Sequence, residues 1–101
     1  MAVKLQALAP VTLTLSNTAY QLSSTPMAVT SVTLQASYSN AAKVCFGDSA
    51  VTASSGLEIP PGDTAEITAD VKGQEFYLDE VYLISSSAGQ VVRAVAFVRK
   101  P

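Results

Sequence analysis

The sequence predicts an all-β domain, a compact sandwich or jelly-roll-like fold of about seven or eight short antiparallel strands with essentially no helix. Val and Thr are abundant, with 12 and 9 copies in 101 residues, and their branched Cβ atoms fit a pleated sheet. Apolar residues alternate with period two in several stretches, and no stretch shows a sustained helical period. Turn residues recur every ~8–12 positions, which is the spacing of a sandwich.

The first candidate strand runs from Ala2 to Leu8 and ends before Pro10. Its alternation places Val3, Leu5 and Leu8 on an apolar side, and these three are the candidate interaction residues. Residues 1–9 are therefore read either as an N-terminal arm or as the first strand of the domain. Residues 10–101 are read as a single β-sandwich domain. An arm would add a strand to a neighbouring subunit or lie along its surface.

The remaining elements follow in order along the chain. Strands are predicted at 11–15, 20–22, 28–36, 43–46, 64–71, 81–84 and 91–98, with 51–56 as a loop or edge segment and 76–78 as a short strand or a loop that closes the core. Pro60-Pro61-Gly62-Asp63 is the strongest turn signal, because Pro presets φ and Gly supplies positive φ. The Gly-containing segment 86–90 predicts a hairpin between the last two strands.

Alternation assigns inner faces to two of these strands. In 28–36, Val32, Leu34 and Ala36 share the side opposite Thr33 and Gln35. In 64–71, the inward side is formed by alternate residues, namely Ala65, Ile67, Ala69 and Val71. Each strand therefore predicts one buried and one exposed face.

Composition limits the partners. Only 14% of residues are charged and the formal net charge is −2, so a surface of small uncharged side chains is expected, which suits close packing against other protein. The sequence has no run of Lys or Arg, so nucleic-acid binding, which requires neutralisation of phosphates, is not predicted. It also has no apolar run of ~18 residues, so a membrane span is not predicted. Cys45 is the single cysteine, so no intrachain disulfide is expected and synthesis in a reducing compartment is indicated.

Catalytic chemistry is not predicted. The chain has no His, which excludes His-based metal sites and Ser-His or Cys-His nucleophiles. Cys45 lies in a predicted strand and is expected to be a small packed residue. The carboxylates of residues 63–80 match no metal-binding spacing and are expected to be solvated charges. The four Tyr residues are scattered and are expected at edges of the core rather than in a sugar site. No catalytic residue, cofactor or metal ligand is therefore assigned, and the protein is expected not to be an enzyme.

One segment resembles a known family. Residues 44–63 read Val-Cys-Phe-Gly-Asp-Ser-Ala-Val-Thr-Ala-Ser-Ser-Gly-Leu-Glu-Ile-Pro-Pro-Gly-Asp. This succession of a strand, Gly-Asp-Ser, Val-Thr, a Ser-Gly turn and Pro-Gly before an acidic residue is similar to small β-rich structural proteins of tailed bacteriophage particles. Residues 81–92 and the segment Leu-Ser-Asn-Thr-Ala-Tyr-Gln-Leu also fit, so the resemblance covers roughly residues 11–98. Its motifs are turn motifs, and they concern architecture rather than chemistry.

The resemblance implies a non-enzymatic virion protein, made in the host cytoplasm. The best fit is a capsid decoration or cement protein that self-associates as a homotrimer, binds the major capsid protein, and bridges and stabilises its subunits. Two other interpretations remain open. One is a head–tail or tail structural component, and the other is a host- or carbohydrate-binding module displayed on the particle.

Overall fold

The computed structural model describes residues 3–68 and 75–99. Within these residues the chain forms eleven short strands and a single 3-10 turn at Leu78–Glu80. The strands are β1 Val3–Ala7, β2 Val11–Leu13, β3 Tyr20–Gln21, β4 Ala28–Val29, β5 Ser31–Ala36, β6 Val44–Gly47, β7 Leu57–Ile59, β8 Thr64–Thr68, β9 Phe76–Tyr77, β10 Tyr82–Ile84 and β11 Gln90–Arg99. No helix of the described residues is long and apolar enough to cross a membrane.

Two antiparallel sheets form the body of the molecule. The larger sheet has the order β1-β11-β5-β8, with β2 joined to β11 beside β1, and the smaller sheet has the order β3-β10-β6-β7. A two-residue ladder between β4 and β9 lies at one end. The longest strand, β11, is central in the larger sheet because it pairs with β1 and β2 on one side and with β5 on the other.

The pairing is nested. β2 pairs with β11, β3 with β10, β5 with β8, and β6 with β7. This is the pairing of one long antiparallel hairpin wrapped around a core, which defines a jelly roll. The all-β sandwich or jelly-roll-like class predicted from the sequence is therefore confirmed.

The core lies between the two sheets and is formed by alternate residues of their strands. Val32, Leu34 and Ala36 of β5 are fully buried and face Val44 and Leu83 of the smaller sheet. Burying a valine or leucine side chain in this way stabilises the fold by roughly 1.5–3 kcal/mol. The face assignments made for β5 are confirmed. For β8, Ala65 and Ile67 pack against the core as expected, while Ala69 and Val71 lie outside the described residues.

The hairpin expected at 86–90 is wrong. β10 belongs to the smaller sheet and β11 to the larger one, so the segment between them crosses from sheet to sheet. A Gly-containing loop shows where the chain turns, but not which strand the next one pairs with. Residues 76–78 combine the two forms considered for them, because β9 is a short strand and the adjacent Leu78 is fully buried.

One end of the sandwich is held together by two side-chain amides. Gln90, only 5% exposed, accepts hydrogen bonds through Oε1 from the backbone N–H groups of Ala41 (2.8 Å) and Ala42 (3.0 Å). Asn40 takes the place of a strand partner for Val91, since its Nδ2 donates to the Val91 carbonyl and its Oδ1 accepts from the Val91 N–H. The loop between β5 and β6 is thereby fixed to the start of β11.

The loop 48–56 depends on a glycine. Gly56 has φ of +83°, and a Cβ there would lie 2.6 Å from the Phe46 carbonyl oxygen and 2.8 Å from Val51 Cγ2. Gly89 has φ of +81° and an added Cβ would meet nothing within 4 Å. The two positions therefore share the same backbone strain and differ in steric room.

Gly56→Ala is expected to lower the free energy of unfolding by about 2–4 kcal/mol, because it adds a backbone clash to the cost of positive φ. Gly89→Ala is the matched control and is expected to cost only about 1 kcal/mol. Urea denaturation followed by circular dichroism measures both. Equal losses for the two variants would show that the close approach at Gly56 has no energetic consequence.

Candidate functional site: the outer face of the larger sheet

The two sheets differ in how their outer faces are covered. On the smaller sheet, Cys45 and Ile84 point away from the main core, yet they are buried with Val51 of the loop 48–56. On the larger sheet, Leu5 is 63% exposed and Val95 is 38% exposed. The outer face of the larger sheet therefore presents apolar side chains to solvent, whereas the smaller sheet buries its own beneath a loop.

Four apolar side chains form a block on this face. Register places Leu5 opposite Phe97 and Ala7 opposite Val95, and alternation in β1 and β11 puts all four on the side away from the core. We call Leu5, Ala7, Val95 and Phe97 the apolar stripe. Polar side chains of β5 and β8 adjoin it, with Thr33 next to Val95 in register. A contiguous apolar surface with a polar rim is typical of a protein–protein contact.

The stripe reaches the edge of the sheet. β1 is the terminal strand in the order β1-β11-β5-β8, so one side of its backbone is not paired within the described residues. An unpaired strand edge is a template for pairing with another chain. The stripe and the edge together provide two adjoining surfaces for a protein partner.

A groove adjoins the stripe at the point where β1 gives way to β2. Leu8 and Pro10 form one wall, Arg93 and Val95 lie on the floor, and Thr64 lies on the far side. The groove is open, with a volume of about 460 Å³. It exists because the chain leaves β11 after Leu8, whose N–H donates to the Ala94 carbonyl (3.0 Å), and rejoins β11 at Val11. We call it the Arg93 groove.

The three residues predicted for interaction do not share one surface. Leu5 is exposed on the outer face, but Leu8 is partly buried against the core. Alternation turns Leu5 and Ala7 outward, whereas Leu8 packs against the core and reaches the outer face only where it lines the Arg93 groove. The side chain of Val3 lies outside the described part of the structure. Residues 3–7, considered as an arm or a first strand, pair with β11 of the same chain.

Cys45 is packed, as expected, because the residue is only 1% exposed. Its Sγ lies 3.5 Å from the Ala53 carbonyl oxygen and donates to it. Burial raises the pKa of the Cys45 thiol, so the nucleophilic thiolate is disfavoured. Just before β6, Lys43 forms an ion pair and a hydrogen bond with Glu58, and the hydrogen bond raises the pKa of Lys43.

The acidic residues are dispersed. Glu66 is exposed on the larger sheet, while Glu75 and Glu80 are exposed near the β4–β9 ladder. Within 3–68 and 75–99, no group of three or more His, Cys, Asp or Glu side chains is placed to hold a metal ion. Among the same residues, one oxygen of Asp79 is buried without a hydrogen-bond partner, but Asp79 belongs to no group of three such side chains. Asp70 lies outside the described residues.

The tyrosines behave in two ways. Tyr20 and Tyr82 are partly buried, and the Tyr20 hydroxyl accepts a 2.9 Å hydrogen bond from the Leu15 N–H. Tyr77 is 50% exposed and Tyr38 is 91% exposed, so Tyr38 departs from the expectation that the tyrosines lie at edges of the core. Tyr38 follows the end of β5, whereas Tyr77 pairs with Ala28, just before the start of β5. The exposed rings therefore lie at opposite ends and form no shared stacking platform.

Alternation in the sequence placed Leu5 on an apolar side of β1, but the groove was not predicted from the sequence. The one local signal for the groove is Arg93, which interrupts the apolar run 91–98 of β11. Comparison with protein-family models, with curated proteins and with solved structures finds no match to this chain.

Proposed function

We propose that this chain is a non-enzymatic structural protein of a phage virion, a capsid decoration or cement protein that bridges and stabilises major capsid subunits. The observation that carries the proposal is the uncovered apolar stripe beside an unpaired strand edge. The loop 48–56 covers apolar side chains on the outer face of the smaller sheet. The outer face of the larger sheet is therefore the sheet face available for a protein contact. The jelly roll recurs among viral capsid domains, which supports the proposal by analogy of fold.

The mechanism is mechanical. Each copy lays the outer face of its larger sheet against neighbouring capsid subunits and resists their separation. Self-association as a homotrimer presents three such faces at once. A single contact then needs only modest affinity, because linked contacts act at a high effective concentration. The low charge content of the chain, 14%, reduces the desolvation that close packing requires.

A carbohydrate-binding role is less well supported, although jelly rolls also serve as lectin domains. Sugar sites commonly stack an aromatic ring on the sugar face. The exposed rings of Tyr38 and Tyr77 lie at opposite ends of the molecule, and none of the described residues that line the Arg93 groove is aromatic. The outer face fits a protein partner better than a glycan.

Mass spectrometry of purified particles tests the proposal. Heads and tails are separated, and the chain is expected in the head fraction in many copies, with light scattering of the free protein giving the mass of a trimer. A chain found only in tails would support the head–tail or tail alternative instead. Absence of the chain from purified particles would overturn the virion assignment.

A further inference from the structure

We infer that the Arg93 groove receives a carboxylate side chain from an extended segment of a partner protein. The inference rests on the proposed function and specifies its contact. It assigns one chemical feature to the partner, an acidic residue flanked by apolar ones. The geometry, the charge and the position of the groove each contribute to it.

The groove contains a cation, Arg93, that forms no ion pair within residues 3–68 and 75–99. Arg93 is exposed. The ion pair found in the described part of the chain joins Lys43 to Glu58 and does not involve Arg93. A guanidinium presents N–H donors in a planar fork that matches the two oxygens of a carboxylate. An exposed, unpaired guanidinium on a sheet face is therefore a carboxylate receptor in its preferred form.

The surrounding polar groups are also unused. Gln35 lies opposite Arg93 in register, and Thr64 lies opposite Gln35, so guanidinium, amide and hydroxyl form a row across three strands. Among residues 3–68 and 75–99, these side chains take part in no hydrogen bond. They are available to orient an anion and the backbone that carries it.

The walls define the rest of the occupant. Leu8, Pro10 and Val95 give the groove an apolar lining, and its volume of about 460 Å³ is that of a site for a compact ligand. The groove opens directly onto the apolar stripe, since Val95 belongs to both. An occupant that covers the stripe as well as the groove must be longer than a small acid, which favours a protein segment.

The test is a titration of the ¹⁵N-labelled protein, followed by NMR, with the capped peptide acetyl-Val-Ala-Glu-Val-Ala-amide. The amide signals of Arg93, Val95 and Thr33 are expected to shift. Affinity is expected to fall about tenfold on Arg93→Gln and to fall again when NaCl is raised from about 50 to about 500 mM. Lys4→Gln removes the same charge from another exposed position on the larger sheet and is expected to change affinity less than about twofold.

Three arms give results that would overturn the inference. Equal binding of the peptide with Gln in place of Glu would show that the carboxylate is irrelevant. Equal binding of hexanoate would assign the groove to small acids. Shifts of the same signals on raising protein concentration alone would assign it to a second copy of the chain. Because these measurements use the isolated domain, their failure leaves the presence of the chain in heads as a separate result.

Discussion

Under the proposed function, Leu5→Glu is expected to lower the affinity of the protein for phage heads by at least about tenfold while leaving the fold intact. Leu5 is 63% exposed at the centre of β1, so its replacement breaks no core contact. In the docked state the new carboxylate would be buried in the apolar stripe without a partner, and burying an unpaired charge costs several kcal/mol. Co-sedimentation of labelled protein with particles stripped of the chain measures the effect.

Leu57→Glu is the matched control. Leu57 is 67% exposed and lies in β7, the edge strand of the smaller sheet, so the same change is made away from the outer face of the larger sheet. Both variants are expected to unfold within about 0.5 kcal/mol of the parent protein, as exposed substitutions usually do. If Leu57→Glu weakens particle binding as much as Leu5→Glu, the outer face of the larger sheet is not the docking surface.

Gln90→Leu is expected to lower the free energy of unfolding by about 2–4 kcal/mol. Leucine nearly preserves the volume but removes the Oε1 acceptor shared by the N–H groups of Ala41 and Ala42. Each partly buried donor left without an acceptor costs roughly 1–3 kcal/mol. The substitution also removes the 2.9 Å bond from Nε2 to the Ala88 carbonyl. Chemical denaturation with guanidinium chloride gives the value.

The control for this variant is Gln35→Leu. Gln35 is exposed on β5, next to β11, and its side chain makes none of the hydrogen bonds found in the described part of the chain. Its replacement is expected to change stability by less than about 0.5 kcal/mol. Similar losses for the two substitutions would show that the Gln90 amide does not hold the loop to β11.

The fold class was predictable because it depends on local alternation. Val32, Leu34 and Ala36 fall on one side of β5 in the sequence pattern and are fully buried in the structure. Pairing was not predictable in the same way. β10 and β11 follow each other across a short loop yet lie in different sheets, since in this jelly roll most strands pair with strands distant in the chain and only the innermost pair, β6 and β7, is consecutive. Local turn chemistry contains no information on that choice.

The candidate site was predictable only in part, for the same reason. The exposure of Leu5 agrees with the alternation within β1. Leu8 was grouped on the same side as Leu5, although strict alternation turns it toward the core. The Arg93 groove requires β1, β5, β8 and β11 to lie side by side, and no stretch of sequence contains that arrangement. Gln90 was assigned to a loop because it follows Gly89, yet it is a buried residue at the start of β11.

Cryo-electron microscopy of particles that carry the chain shows whether the outer face of the larger sheet docks on other protein. Under the proposed function, we expect density for the jelly roll on the outside of the head, with Leu5 and Val95 against the major capsid protein and the loop 48–56 facing away from it. A larger sheet whose outer face is turned to solvent would rule out this docking surface, and density for the chain in the tail would rule out the decoration role.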